Sequence, residues 1–331
     1  MRTLLAFTLT LGLVLGAGAA DDQVVVYSAR KEHLVRPLLD AYTRETGVPV
    51  RCVTDKEAPL LERLQAEGGA TPADLLIMVD AGNLWQAAEA GVLAAVRSAV
   101  LEQEVPAHLR DPQGRWYGLS VRARTLVYQT DRILPEDLST YEDLADSRWK
   151  GRLCLSSSGR VSNRSLVASL VHRLGEDATE RVVRGWVANL AVAPFADDSE
   201  VLEGLAAGLC DVGLVNSYYY GRYAETQEGS KLAIFWPNQQ TSGVQVNVSG
   251  AGVTAHAKHP KAALRLLEWL AAPEAQGIFA SLNMEYPANP LIAPAPAVAA
   301  WGAFKPDPLN TAELGRFQSR AVALMDRAGY R

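Results

Sequence analysis

The chain is poor in the residues and motifs that carry most metal and group-transfer chemistry. Its 331 residues include three cysteines and five histidines. Cys52, Cys154 and Cys210 form no metal-type Cys-x-x-Cys pair. His33, His108, His172, His256 and His259 are scattered singly, so there is no His-Glu-x-x-His helix. Also missing are a Gly-x-Ser-x-Gly elbow, a phosphate loop ending in Lys-Ser/Thr, and a Gly-x-Gly-x-x-Gly after the first strand. These gaps point to a binding protein and not to an enzyme. There is no basic excess: 32 Lys and Arg against 37 Asp and Glu leave a net charge of −5. That balance excludes a nucleic-acid or anionic-membrane footprint. No repeat recurs at solenoid spacing, and only the Pro/Ala-rich stretch 287–298 is compositionally biased.

The odd cysteine count allows one disulfide at most. All three cysteines lie in apolar, strand-like stretches and are read as small buried hydrophobes, with a Cys154–Cys210 bridge left open. The longest hydrophobic run is at the N-terminus. Arg2, the apolar Leu4 to Leu15 and the small residues Ala17-Gly18-Ala19 have the form of a secretory signal over 1–20, cleaved near Ala19. It is too short for a membrane span, and no cysteine follows it for lipid attachment. An exported, periplasmic chain without stable membrane insertion is expected, acting as a monomer. Its mature net charge is about −6, because 1–20 contains one basic and no acidic residue. At 48% apolar, a chain of this length can bury two cores.

What is present is an alternation of strands and helices. Gln23 to Tyr27 is a short, nearly all-apolar run, followed by an amphipathic helix over Glu32 to Thr46 that Gly47 ends. A strand at Val48 to Val53, a helix near Ala58 to Gln65 and a strand at Leu75 to Val79 complete a βαβαβ unit. The theme returns with strands at Arg152 to Leu155, Ala191 to Phe195 and Asp211 to Val215, and with helices at Asn163 to Leu174 and Val201 to Leu209. Two long extended runs, Tyr117 to Tyr128 and Ser242 to Val253, are predicted to cross between the halves as a hinge. A final helix is expected over Thr311 to Arg327.

The expected fold is α/β and periplasmic-binding-protein-like, with two parallel-sheet lobes joined by a two-strand hinge. The N-terminal lobe spans 21–121 and 250–300, and the C-terminal lobe spans 122–249 and 301–331. Ligands in such sheets sit at the carboxyl ends of the strands. That places Tyr27 to Arg30 and Asp80 to Asn83 on one rim, and Ser156 to Arg160 and Asn216 to Tyr219 on the other.

Tyr218, Tyr219 and Tyr220 are consecutive and follow Asn216-Ser217. Ser217 reads as a helix N-cap, which puts the tyrosines on the first helical turn, where adjacent phenols converge. Two phenolates there suit a hard, highly charged cation such as Fe³⁺. An aromatic packing cluster is the plainer alternative. Tyr27, ending the first strand, is a candidate third phenol, and Glu32 stands next.

Several stretches together resemble the periplasmic ferric-iron-binding proteins of bacterial ABC-type iron importers. They are Val-Val-Tyr-Ser-Ala-Arg at 25–30, Thr-Pro-Ala-Asp-Leu-Leu-Ile at 71–77, Tyr-Gly-Leu-Ser-Val-Arg-Ala-Arg at 117–124, Trp-Lys-Gly-Arg-Leu-Cys at 149–154 and Asn-Ser-Tyr-Tyr-Tyr at 216–220. The resemblance implies two lobes closing over Fe³⁺, with Tyr218 and Tyr219 as ligands and Tyr220 in packing. It implies a synergistic anion, carbonate first, at Arg122, the loop Ser158-Gly159-Arg160 and Asn216. Delivery to an ABC permease follows. Arg124 is read as part of a structural ion pair. Two positions depart from the family pattern: Lys31 and Glu32 replace a His or His-Tyr pair, and Ser162 replaces a loop tyrosine. A binding protein for an oxyanion or a phosphorylated sugar is the alternative ligand class.

Overall fold

The computed structural model describes residues 23–227 and 230–331. The expected signal segment 1–20 lies outside the described residues. Strands β1 (Val24–Ser28), β2 (Val50–Thr54) and β3 (Leu75–Val79) form a parallel trio with β1 central. The runs Val-Val-Val-Tyr in β1 and Leu-Leu-Ile-Met in β3 are almost wholly buried because both faces of the sheet are covered. β2 is the edge and carries an exposed Arg51, which blunts it. The helix Glu32–Thr46 buries Val35, Leu38, Leu39 and Tyr42, a spacing that makes one face. It stops at Gly47, whose φ of 74° is left-handed and whose N–H closes on the Thr43 carbonyl.

β4 (Tyr117–Gln129) decides the architecture. It pairs antiparallel with β8 (Val246–Val253) from Tyr117 to Ala123, then with β6 (Val212–Asn216) from Arg124 to Tyr128. β8 pairs antiparallel with β3, and the short β5 (Leu153–Cys154) pairs parallel with β6. β7 (Leu232–Phe235) and β9 (Tyr286–Pro287) both attach to β4. Among the described residues the result is a nine-stranded sheet in the order β2-β1-β3-β8-β4-β6-β5 along its main path. Each lobe keeps a parallel heart, and the two antiparallel crossing strands fuse the hearts into one sheet. The run Ala191 to Phe195, expected as a strand, makes only isolated bridges, through Phe195 to Ser156 and beside it through Leu190 to Leu153.

One core cluster lies around β1, β3 and the helix Pro260–Ala271. Two more flank the far half of β4, where alternation sends Leu126 and Tyr128 to one face and Val127 to the other. The last stretch, expected wholly in the C-terminal lobe, is shared: Ala312 and Leu314 join the first core, and Ala321 to Tyr330 join the second. Among the described residues no helix is long and apolar enough to cross a membrane.

Cys154 and Cys210 are bridged, with Cα atoms 5.9 Å apart. The reading of all three as free buried hydrophobes is thus corrected for two of them, and Cys52 is the leftover thiol. The bridge closes a 56-residue separation between β5 and the approach to β6, so it restricts the unfolded chain. Replacing both cysteines by alanine is expected to lower the unfolding free energy by about 2–4 kcal/mol. Guanidinium titration of the pair variant checks this.

Candidate metal centre

β6 delivers the chain to the cleft. Asn216 holds the cap position, one residue earlier than expected, and Ser217 is the first residue of the helix Ser217–Thr226. Ser217 Oγ instead accepts the Ala123 N–H at 3.3 Å, which seams the tyrosine helix to the crossing strand. Gly221 lets Met284 and Trp301 approach closely: a Cβ there would stand 2.5 Å from each. Tyr220 faces Trp301 edge-on with ring centroids 6.0 Å apart, so it serves packing.

Tyr218 and Tyr219 lie side by side, with ring centroids 4.6 Å apart and planes tilted by 31°. Both line a cavity of about 220 Å³ whose opposite wall includes Arg30, His33, Ser249 and Glu285. Arg222 sits one turn on, its guanidinium 4.8 Å from the Tyr218 ring centroid and 5.6 Å from that of Tyr219. Asn216 Nδ2 donates to Tyr218 Oη at 3.4 Å, and Arg160 reaches Tyr219 Oη at 3.5 Å. Burial pushes the Tyr218 phenol well above its ordinary range, and Tyr219 adds to the shift. Arg122 and the Asn216 hydrogen bond oppose it. The phenol is therefore protonated at neutral pH.

Tyr27 is not part of this cavity. It is fully buried, its Oη donates to Glu67 at 2.9 and 3.1 Å, and the Arg63 guanidinium lies 4.7 Å from its ring centroid. Burial first, then the Glu67 bond, push its pKa up to about 12. The third-ligand expectation is corrected: the ring turns into the N-terminal core. Glu32 is exposed and paired with Arg36 at 2.6 Å.

The expected anion loop is also corrected. The Ser158 N–H donates to the Arg331 carbonyl, Gly159 to Ser157 Oγ, and Arg160 to the Ser157 carbonyl, so the three amides are already engaged. What remains of that loop toward the cleft is the exposed Arg160 side chain. Arg122 is buried, with Nη2 3.4 Å from Asp80 and Nη1 3.5 Å from Ser249 Oγ. Arg124 lies apart from it in a buried pair with Asp198, as its structural reading held.

Two cleft features, Arg222 and the Arg30–Glu285 pair, have no counterpart in the sequence expectations. Arg222 could have been found from its spacing to the tyrosines on the helix. The buried pair Arg30–Glu285, braced by Ser120 at 2.6 Å, joins residues with no local pattern. Asp80 was placed on the rim, yet it is fully enclosed. Among the described residues no three His, Cys, Asp or Glu side chains gather as a metal cluster. The paired hard oxygen donors of the cleft are phenolic.

The family of bacterial extracellular solute-binding proteins matches residues 38–306. The chain belongs to that family. This solute-binding protein is 41% identical over 322 residues to the iron uptake protein A2 of Synechocystis sp., covering 95% of this chain and 92% of that one. It is 30% identical to the Fe(3+)-binding periplasmic protein of Serratia marcescens, covering 98% and 96% of the two chains. The Trichodesmium protein solved in complex with iron and citrate ligands superposes with a TM-score of 0.90 at 38% identity. That match covers 93% of this chain and 100% of the other. The two-lobe architecture is thus the family's.

Proposed function

We propose that this solute-binding protein captures ferric iron in its interlobe cleft, in the periplasm, and presents it to an ABC-type importer. It acts as a carrier and performs no chemistry on its cargo. The observation that carries the reading is the pair of adjacent phenols, Tyr218 and Tyr219, on the wall of one cavity. Ferric iron is hard and trivalent, and phenolate oxygen is a hard donor. Two phenolates leave residual charge and open positions on the ion, which a small oxyanion can fill. Arg122, Arg160 and Asn216 are the residues proposed to face that anion, by charge and by hydrogen bonding. Carbonate is the first candidate, and a carboxylate chelator such as citrate meets the same groups.

Binding displaces phenol protons, so affinity depends on pH. Because burial holds the Tyr218 proton tightly, acidification favours the protonated, metal-free form. Ferric affinity is expected to fall as pH drops from 7.5 to 5.5, by up to about tenfold per unit for each proton displaced. A titration with ferric nitrilotriacetate, followed by the visible phenolate-to-iron absorption, tests both statements. A protein that stays colourless while binding phosphate or a sugar phosphate would sink the proposal.

A further inference from the structure

The geometry points to Asp80 as a positioning residue that sets how far the two lobes open, through a bond to Ser165 across the lobe boundary. Asp80 directly follows β3 in the N-terminal lobe and caps the helix Ala81–Glu89, accepting the Gly82 N–H at 2.8 Å. Its φ of 87° is in the left-handed region, which a non-glycine residue holds only when its surroundings dictate it. Those surroundings come from three directions. Asn247 on β8 donates to Oδ2 at 2.7 Å, and Arg122 on β4 stands 3.4 Å from the same oxygen. Ser165 donates to both carboxylate oxygens, at 3.0 and 3.2 Å. Ser165 lies on the helix Val161–Leu174, whose Leu166, Val167 and Leu170 belong to the second core. One carboxylate therefore grips both hinge strands and the body of the other lobe, with all four residues buried.

The consequence is mechanical. When the lobes rotate about the crossing strands, the helix Val161–Leu174 moves relative to β3. Asp80 and Ser165 then meet or part. Arg160 begins that helix and reaches Tyr219, so the same movement brings Arg160 and the tyrosine wall toward Arg30 and Glu285. Asp80 also holds Arg122, whose other nitrogen reaches Ser249 on the cavity wall, so the tether fixes a positive charge behind that wall. A ligand that favours the closed form gains apparent affinity in proportion to the closed population.

Ser165→Ala deletes only the interlobe bond, in a helix that accepts alanine well. Metal-free Ser165→Ala is expected to show a larger radius of gyration than the wild type in small-angle X-ray scattering. Ser165→Thr restores the hydroxyl and is expected to return the value to that of the wild type. Asp80→Gly is the second variant: glycine accepts the φ of 87°, and loss of the carboxylate frees Ser165, Arg122 and Asn247 together, so it too is expected to expand the protein. With ferric nitrilotriacetate as donor, Ser165→Ala is expected to bind iron about tenfold more weakly, the loss of one charge-assisted hydrogen bond from the closed state. Unchanged scattering in both variants, or failure of threonine to restore the Ser165 effect, overturns the inference. Only the iron measurement rests on the function proposed above. If wild-type protein binds no iron, that function falls, and the scattering comparison still decides the role of Asp80.

Discussion

Replacing Tyr218 and Tyr219 together by phenylalanine is expected to abolish the visible band of iron-loaded protein and to weaken ferric binding by more than about 100-fold. Loss of groups that merely orient metal ligands costs about 10–100-fold, so removing two proposed ligands sets that figure as a lower bound. The substitution isolates the oxygen atoms. Phenylalanine keeps the rings 4.6 Å apart and keeps the apolar faces beneath Arg222, so the helix retains its packing. The unfolding midpoint is expected to stay close to wild type, which separates loss of ligands from loss of fold. Tyr27→Phe is the internal control. Its hydroxyl is spent on Glu67 in the N-terminal core, so iron binding is expected to be unchanged. Retention of the coloured complex in the double variant would remove the phenol pair from the site. Loss of colour in Tyr27→Phe alone would reinstate the reading made from its place at a strand end.

That contrast shows what local pattern can and cannot reveal. The strands at 24–28 and 75–79 were legible as short, nearly all-apolar runs, and the helix Glu32–Thr46 by its periodic apolar face. The two crossing runs were legible by their length and extended character. The tyrosine pair was legible because strand, short polar break and helix follow one another directly. Tyr27 misled because a place near a strand end says nothing about which face the ring takes, and Glu67 and Arg63 on the helix Glu57–Glu67 decide that. The loop at 158–160 misled for a similar reason: an anion nest needs free N–H groups, and the carbonyl of Arg331, at the far end of the chain, takes one of them. The Cys154–Cys210 bridge and the Arg30–Glu285 pair are long-range facts of the same kind. Local sequence described the elements and one wall of the cleft. The opposite wall is assembled from segments that only the folded sheet brings together.

Asp198→Ala is expected to destabilise the protein by about 3–5 kcal/mol and to loosen the support beneath the tyrosines. Arg124 and Asp198 are paired in the interior with side chains 1% and 2% exposed. Taking the carboxylate away leaves a guanidinium that cannot shed its proton and cannot reach water. Asn163 at 2.6 Å, the Leu214 carbonyl at 3.1 Å and Asn216 at 3.2 Å still accept from Arg124, which places the cost toward the lower end of that range. Asp198 also accepts the Ser156 hydroxyl at 2.7 Å and the Asn216 N–H at 2.9 Å. Its removal therefore frees both the anchor of the 156–160 loop and the residue that caps the tyrosine helix and touches Tyr218. Ferric affinity is expected to fall by about 10–100-fold, as for other groups that orient metal ligands. Guanidinium unfolding and ferric nitrilotriacetate titration measure the two effects separately. The double replacement Arg124→Met with Asp198→Leu removes both charges, so it is expected to recover most of the stability without recovering the affinity. If Asp198→Ala costs less than about 1 kcal/mol, the network is not what holds Asn216 in place, and the link from buried pair to phenol is broken.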